Sequence, residues 1–229
     1  GSLLGIALHS GTSFPVGKVE FVRLYPLSFR EFLMAAGREQ YAQLIKDKDY
    51  KMIEENDKIA ICLSGGKDSI TMLHAFKSLQ RFYPKKFDII AISINPGFKF
   101  FDTNLLQNIC DKLEIPLFIE NSHAQEIVFD IRKEKNPCSL CANLRRGIIN
   151  SIAVREGCNK IALGHNEDDV LETFLLNLFY TGSIGTFSPV SYMDRTGITL
   201  IRPLIYTPEK ETKRFINKNN LTVMPKVCP

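Results

Sequence analysis

The sequence predicts an α/β protein built on a doubly wound parallel sheet of five strands, with helices on both faces. Two observations carry this. From about residue 58 onward, apolar strand-like runs alternate with helical stretches, the pattern of a parallel sheet covered by helices. The first apolar run, Lys58-Ile-Ala-Ile-Cys-Leu63, passes through Ser64-Gly65-Gly66-Lys67-Asp68-Ser69 directly into the helical stretch that begins Ile70-Thr-Met-Leu. A glycine turn between strand and helix falls on a strand's carboxyl end, where open α/β sheets bind ligands.

In order, the strands are expected at Ile59–Leu63, Asp88–Ile94, Leu117–Glu120, Lys160–Gly164 and Thr199–Pro203. The helices are expected near Ser69–Phe82, Asp102–Leu113, Cys141–Glu156, Glu167–Tyr180 and Pro208–Asn219. Thr207-Pro208-Glu209 reads as a helix start, with an N-cap hydroxyl, proline at the first position and a carboxylate in the first turn. The first 45 or so residues do not continue the alternation. Leu3–Leu8 and Val19–Leu24 read as strands, and Ser28-Phe-Arg-Glu31 as a capping box opening a helix over Phe29–Ala36. A seam is expected near Ile45–Asp49, dividing residues 1–48 from a main domain over 49–229.

The turn at Ser64–Ser69 has the chemistry of a phosphate site. Gly65 and Gly66 let the backbone turn tightly and bring bare N–H groups against an anion. The helix start adds unpaired donors and the positive dipole end. Lys67 supplies a cation, Ser64 and Ser69 hydroxyl donors, and Asp68 a carboxylate able to direct magnesium. The plainer alternative is an ordinary strand–helix turn with a serine cap. There is no G-x-x-x-x-G-K-[ST], so this is not a Walker A loop. The S-G-G-x-D-S pattern instead resembles the pyrophosphate loop of ATP pyrophosphatases, which cleave ATP between the α and β phosphates and transfer AMP to an oxygen.

Composition sets wider bounds. The 229 residues are 45% hydrophobic and 24% charged, ordinary for a globular protein with one large domain and a small appendage. No apolar stretch approaches a membrane span, and Leu3–Leu8 lacks the basic lead-in of a signal peptide. A net charge of +4 permits an RNA partner without demanding one. Six cysteines without a secretion signal point to a reducing compartment, the cytoplasm, where paired cysteines hold metals or do redox work.

Two further motifs lie at predicted helix starts. Pro137-Cys-Ser-Leu-Cys141 precedes a helix carrying Arg145 and Arg146. Two thiolates at this spacing suit a zinc ion, an iron–sulfur cluster or a redox pair, and the spacing can also be incidental. A metal would need more ligands, and Cys228 is the best remaining candidate. Cys62 and Cys110 read as core residues, and Cys158 is unassigned. Arg145 and Arg146 could meet RNA phosphate or ATP, or simply face solvent. Leu163-Gly-His-Asn-Glu-Asp-Asp169 ends one strand and opens a helix. Its acids could be no more than a cap and dipole complement, yet Gly164 and His165 fall at a second strand end beside the expected pocket, with Asp169 facing the same way.

Taken together, Ser64–Ser69, Cys138-x-x-Cys141 with Leu144-Arg-Arg-Gly147, Gly164-His-Asn-x-Asp-Asp169, Arg202-Pro-Leu204 and the terminal Val-Cys228-Pro resemble the tRNA 2-thiolation enzymes. The similarity is to their 2-thiocytidine synthetase branch, of the adenine nucleotide alpha hydrolase-like, PP-loop fold. The resemblance implies an ATP- and Mg2+-dependent enzyme that adenylylates the C2 oxygen of a tRNA pyrimidine, most readily cytidine, in a single-stranded loop. Sulfur then displaces AMP. It implies that Ser64, Gly65, Gly66, Lys67, Ser69, Gly164 and His165 bind ATP, that Lys67, Asp68 and Asp169 are catalytic, and that Asp68 also meets the metal. Cys138, Cys141 and Cys228 would hold a [4Fe-4S] cluster with one iron open to sulfur. A sulfur donor such as a cysteine desulfurase and a homodimer are expected, and a membrane is not. The family pattern continues past the third cysteine, so a C-terminally truncated domain is expected. Gly11–Lys18 and Leu24–Leu33 resemble a fragment of an AAA-type ATPase family that lacks its nucleotide loop, and no ATPase activity is assigned to it. Open alternatives are uridine as the substrate, another tRNA-modifying ligase of this fold such as a lysidine synthetase (which needs no C-x-x-C), and an inactive nucleotide- or RNA-binding fusion fragment.

Overall fold

The computed structural model describes residues 52–97, 101–122 and 137–225, with the backbone alone at 137 and 138. All of these fall in one compact unit, Tyr50–Pro229. The strands and helix expected within residues 1–48 lie outside the described residues, as does Cys228.

Five parallel strands appear where the apolar runs place them: β1 (Asp57–Cys62), β2 (Phe87–Asn95), β3 (Leu117–Asn121), β4 (Lys160–Ala162) and β6 (Ile198–Ile201). A sixth, β5 (Val190–Met193), pairs antiparallel with β6 through a turn that Gly197 closes at φ +68°. The sequence reading missed β5 because four residues, none of them buried, carry almost no periodic signal. The helices are α1 (Lys67–Leu79), α2 (Thr103–Leu113), α3 (Pro137–Arg155), α4 (Glu167–Leu176) and α5 (Glu209–Lys218). A π-helical turn, Asn177–Thr181, continues α4 and ends at Gly182 with φ 63°.

Strand order across the sheet is β3-β2-β1-β4-β6-β5. Successive strands move outward from β1 through β2 to β3, after which the chain returns to the other side of β1 with β4. The order therefore reverses between β1 and β4, and the crevice beyond their carboxyl ends is the switch point where such sheets bind ligands. The two-residue period of the strands splits the core in two. Ile59, Ile61 and Leu63 face α1, α2 and α5, where Ile70, Leu73, Phe76, Leu106 and Ile216 pack. Ala60 faces the opposite side with Ile90, Ile92 and Ile161, covered by Ile152 and Ala153 of α3.

At the amino ends of β1 and β4, away from the crevice, Asp57 and Lys160 form a buried ion pair at 2.7 Å. Asp57 also accepts from the Glu54 N–H at 2.6 Å and from Asn159 Nδ2 at 2.7 Å. These bonds satisfy the carboxylate that burial would otherwise penalise.

Candidate active site

The turn after β1 is built to approach something closely. Gly65 has φ +81°, where a side chain is strained. A Cβ there would lie 2.1 Å from Met224 Cε, and the Met224 N–H donates to the Gly65 carbonyl at 2.9 Å. The end of the described chain thus lies against the turn. Gly66 is the N-cap of α1 and no side chain caps it, so the helix keeps its donors for an anion. The serine cap of the plainer reading is absent. Ser69 Oγ instead donates to the Gly66 carbonyl at 2.9 Å, and the Ser64 N–H donates to Ser69 Oγ at 3.2 Å, which holds the turn closed on itself.

Lys67 Nζ sits 2.9 Å from Asp68 Oδ2 and 2.8 Å from Glu209 Oε1. Burial lowers the Lys67 pKa, but its hydrogen bonds to these two carboxylates raise it more, so it remains an ammonium. Glu209, bonded to Lys213 and Lys67, is held down to about 2. The sequence offered no sign of Glu209 at this site, since 142 positions separate it from Lys67.

The second strand end faces the first. A Cβ on Gly164 would meet the Ser69 nitrogen at 3.3 Å and the Asp68 carbonyl carbon at 3.4 Å. Glycine is what lets the two loops lie this close. His165 Nδ1 is buried with no hydrogen-bond partner, and its ring lies 4.7 Å from that of Phe187. Burial, then Arg202, pushes the imidazole pKa down; Asp169 opposes this and Arg146 adds to it, so the ring is neutral at pH 7. The Arg202 guanidinium stands 5.1 Å from the Phe187 ring centre. Its Nη1 donates to the Ser188 carbonyl and to Ser191 Oγ, tying the segment before β5 to the crevice. Phe187 carried no signal in the sequence. Arg146, exposed on α3, acts electrostatically on both His165 and Arg202, which places it on the crevice side.

Asn166 and Asp169 form a capping box: the Asp169 N–H donates to Asn166 Oδ1 at 3.1 Å, and the Asn166 N–H to Asp169 Oδ2 at 2.8 Å. The cap reading of these two residues therefore describes what they do locally. Asp168 reaches further and accepts from the Glu209 N–H at 2.6 Å. This corrects the expected start of α5. Pro208, not Thr207, is the N-cap, with no side-chain bond of its own, because a carboxylate from the first turn of α4 supplies the acceptor.

The cysteines separate by environment. Burial pushes Cys62 and Cys110 up to about 12, and Cys158 up to about 11. They are thiols of the interior, with Cys62 only partly covered on the α3 side. Cys141 is a free, half-exposed thiol in the first turn of α3. Since α3 runs back toward the start of β4, its first turn, with Cys138 and Cys141, lies at the same sheet edge as the crevice. Among the described residues no three His, Cys, Asp or Glu side chains are grouped to hold a metal ion. The Cys138 side chain and Cys228 lie outside the described residues.

Residues 34–224 match the PP-loop domain family. The match starts upstream of the seam expected at 45–49. The tRNA-cytidine(32) 2-sulfurtransferase of Syntrophotalea carbinolica is 39% identical over 182 residues, covering 79% of this chain and 70% of that protein. The chain belongs to this family. The enzyme of the same name from Janthinobacterium sp. (strain Marseille) is 41% identical over 178 residues, 77% of this chain and 56% of the relative. Among solved structures, the U34-tRNA thiolase NcsA from Methanococcus maripaludis with its [4Fe-4S] cluster superposes with a TM-score of 0.67 at 26% identity. That similarity covers 86% of this chain and 68% of NcsA. Among the described residues no helix is long and apolar enough to cross a membrane.

Proposed function

We propose that the protein is an ATP-dependent tRNA sulfurtransferase that replaces the C2 oxygen of a cytidine with sulfur. The observation that carries this is an uncapped glycine turn and a neutral histidine at one switch point, with the helix start bearing Cys138 and Cys141 at the same edge of the sheet. Domain 49–229 performs the reaction.

In this reading the phosphates of ATP lie along the Gly65 and Gly66 backbone at the start of α1, with Ser64 and Ser69 holding the turn. Lys67 neutralises phosphate charge and Asp68 directs magnesium. Gly164 keeps the two loops in register. His165 presents an uncharged ring to the nucleotide, and Asp169 holds that loop's helix start while facing the same crevice. The C2 oxygen of cytidine is a poor leaving group. Attack of that oxygen on the α phosphorus forms a C2–O–AMP bond and releases pyrophosphate; a sulfur nucleophile at C2 then expels AMP.

The donor set fits an iron–sulfur cluster. Cys138 and Cys141 stand one helical turn apart at the crevice edge, and Cys228 follows four positions after Met224, which touches Gly65. Four residues reach at most about 14 Å. Three thiolates would leave one iron open, which supplies a soft site for sulfur. The base must be accessible, so the target is a single-stranded loop of tRNA. A cysteine desulfurase is the expected sulfur source, a homodimer the expected assembly, and the cytoplasm the expected compartment. Cytidine is favoured over uridine by relatives at 39 and 41% identity that carry cytidine in their names.

The test is pyrophosphate release from ATP in the presence of tRNA. Asp68→Ala should abolish it while leaving the circular dichroism of the sheet unchanged. Unaltered release in that variant would remove Asp68 from the site.

A further inference from the structure

The first turn of α5 is bonded to both loops of the crevice, and one bond in it is out of keeping with a surface helix. Thr212 is fully buried, yet its Oγ1 lies 2.7 Å from Asp68 Oδ1. It also lies 2.9 Å from the Glu209 carbonyl one turn back on its own helix. A hydroxyl has one proton to give. The carbonyl contact is the routine local bond of a helical threonine. The carboxylate is charged and closer, and a charge-assisted bond is about twice as strong as a neutral one. The proton therefore goes to Asp68.

We propose that Thr212 is a positioning residue for the phosphate loop, setting the rotation of the Asp68 carboxylate so that it meets magnesium in a fixed orientation. The inference rests on the reading of Asp68 as the metal-directing group. The geometry around the carboxylate is specific. Oδ1 is held by Thr212, and Oδ2 by Lys67 Nζ at 2.9 Å. Lys67 is itself held by Glu209 Oε1 at 2.8 Å, one turn before Thr212 on α5. The terminal torsion of an aspartate is a soft, broad rotor, so without a partner on Oδ1 the carboxylate is free to rotate about its bond to the lysine. Each carboxylate oxygen has a second acceptor direction, which leaves both free to meet a cation once their orientation is fixed. The helix that carries Thr212 is anchored in turn. Its Phe215 packs edge-on against His74 of α1 at 5.9 Å, and its Glu209 N–H is capped by Asp168. A rigid supporting shell of this kind is what a metal-directing carboxylate needs.

The test is calorimetric titration with α,β-methylene ATP, which cannot be cleaved at the bridge this enzyme would break, across a series of Mg2+ concentrations. Thr212→Val keeps shape and burial but removes the hydroxyl. It should raise the Mg2+ needed for half-maximal binding about tenfold, the effect of losing one hydrogen bond to a charged group. Thr212→Ser, which restores the donor, should return it to within about twofold. Should the valine variant not fold, Thr212→Ala removes the same donor with a smaller group and should show the same rise. Wild-type Mg2+ dependence in Thr212→Val or Thr212→Ala, whatever happens to thermal stability, would overturn the proposal, as would a serine variant as impaired as valine. Asp68→Ala separates the two levels. If it loses Mg2+-dependent binding while Thr212→Val does not, only the positioning role fails. If Asp68→Ala binds with wild-type Mg2+ dependence, the metal-directing role of Asp68 fails with it.

Discussion

Replacing Gly65 with alanine probes the crevice where its backbone is tightest. Two separable penalties follow from the structure. At φ +81° an alanine is strained by about 1–2 kcal/mol. Its Cβ would also fall 2.1 Å from Met224 Cε and 2.9 Å from Cγ, so the buried methionine must move, which costs about 1–3 kcal/mol as overpacking does. The total is about 2–5 kcal/mol. A double-mutant cycle in urea denaturation divides it. In a Met224→Ala background the methionine Cγ and Cε are gone and only the Cβ contact at 3.2 Å remains, so the substitution should cost little more than the backbone part, about 1–2 kcal/mol. Calorimetry should show ATP binding weakened in both Gly65→Ala proteins, because in the proposed site the strained peptide is the one that approaches phosphate. A Gly65→Ala protein within about 0.5 kcal/mol of wild type, or equal penalties in both backgrounds, would refute the close packing of the chain end on this turn.

Three further outcomes follow from the charges. Burial raises the Asp57 pKa, but Lys160, the Glu54 N–H and Asn159 lower it more, so the folded value is depressed. Its stabilisation is then complete above the unfolded value of about 3.9 and is lost as pH falls through the folded value. Denaturation midpoints should hold from pH 8 to 5 and drop below about pH 4, a drop that Asp57→Asn reduces; an unchanged acid limb would contradict the pairing. Lys160→Met, which strands a buried carboxylate, should cost about 3 kcal/mol in urea denaturation. His165, depressed by burial and by Arg202, should titrate by NMR below the ordinary value of about 6.5, and Arg202→Gln should move it upward. A ring titrating at or above the ordinary value in the wild type would show that it is not held neutral in this way.

The sheet was legible because its strands are short apolar runs, with glycines shortly after β1, β2 and β4, and burial makes such patterns robust. Gly65 and Gly164 were legible as points of close backbone approach: Gly65 has positive φ and would set a Cβ 2.1 Å from Met224 Cε, and a Cβ on Gly164 would meet the Ser69 nitrogen at 3.3 Å. Gly66, with φ −78° and only Ser64 Oγ at 3.5 Å, is not crowded in this way. The edge strand at Val190–Met193 was hidden because its residues are only partly covered. Glu209, Thr212 and Phe187 were hidden because their meaning lies in contacts made at long range. Thr212 and Asp68 are 144 positions apart, and helix α5 reads from its sequence as a charged surface element. Thr207 illustrates the reverse error. A good local cap lost to Asp168, a stronger acceptor that only the folded crevice brings near.

The nucleoside content of tRNA after anaerobic incubation with the iron-loaded protein, ATP, magnesium and sulfide tests the proposed reaction most directly. Mass analysis should find 2-thiocytidine only when ATP is present, made by protein carrying about four irons per chain. Cys228→Ala should lose both the iron and the product. Cytidine thiolated without ATP, or at the full rate by an iron-free Cys228→Ala protein, would contradict an adenylylation served by a three-cysteine cluster.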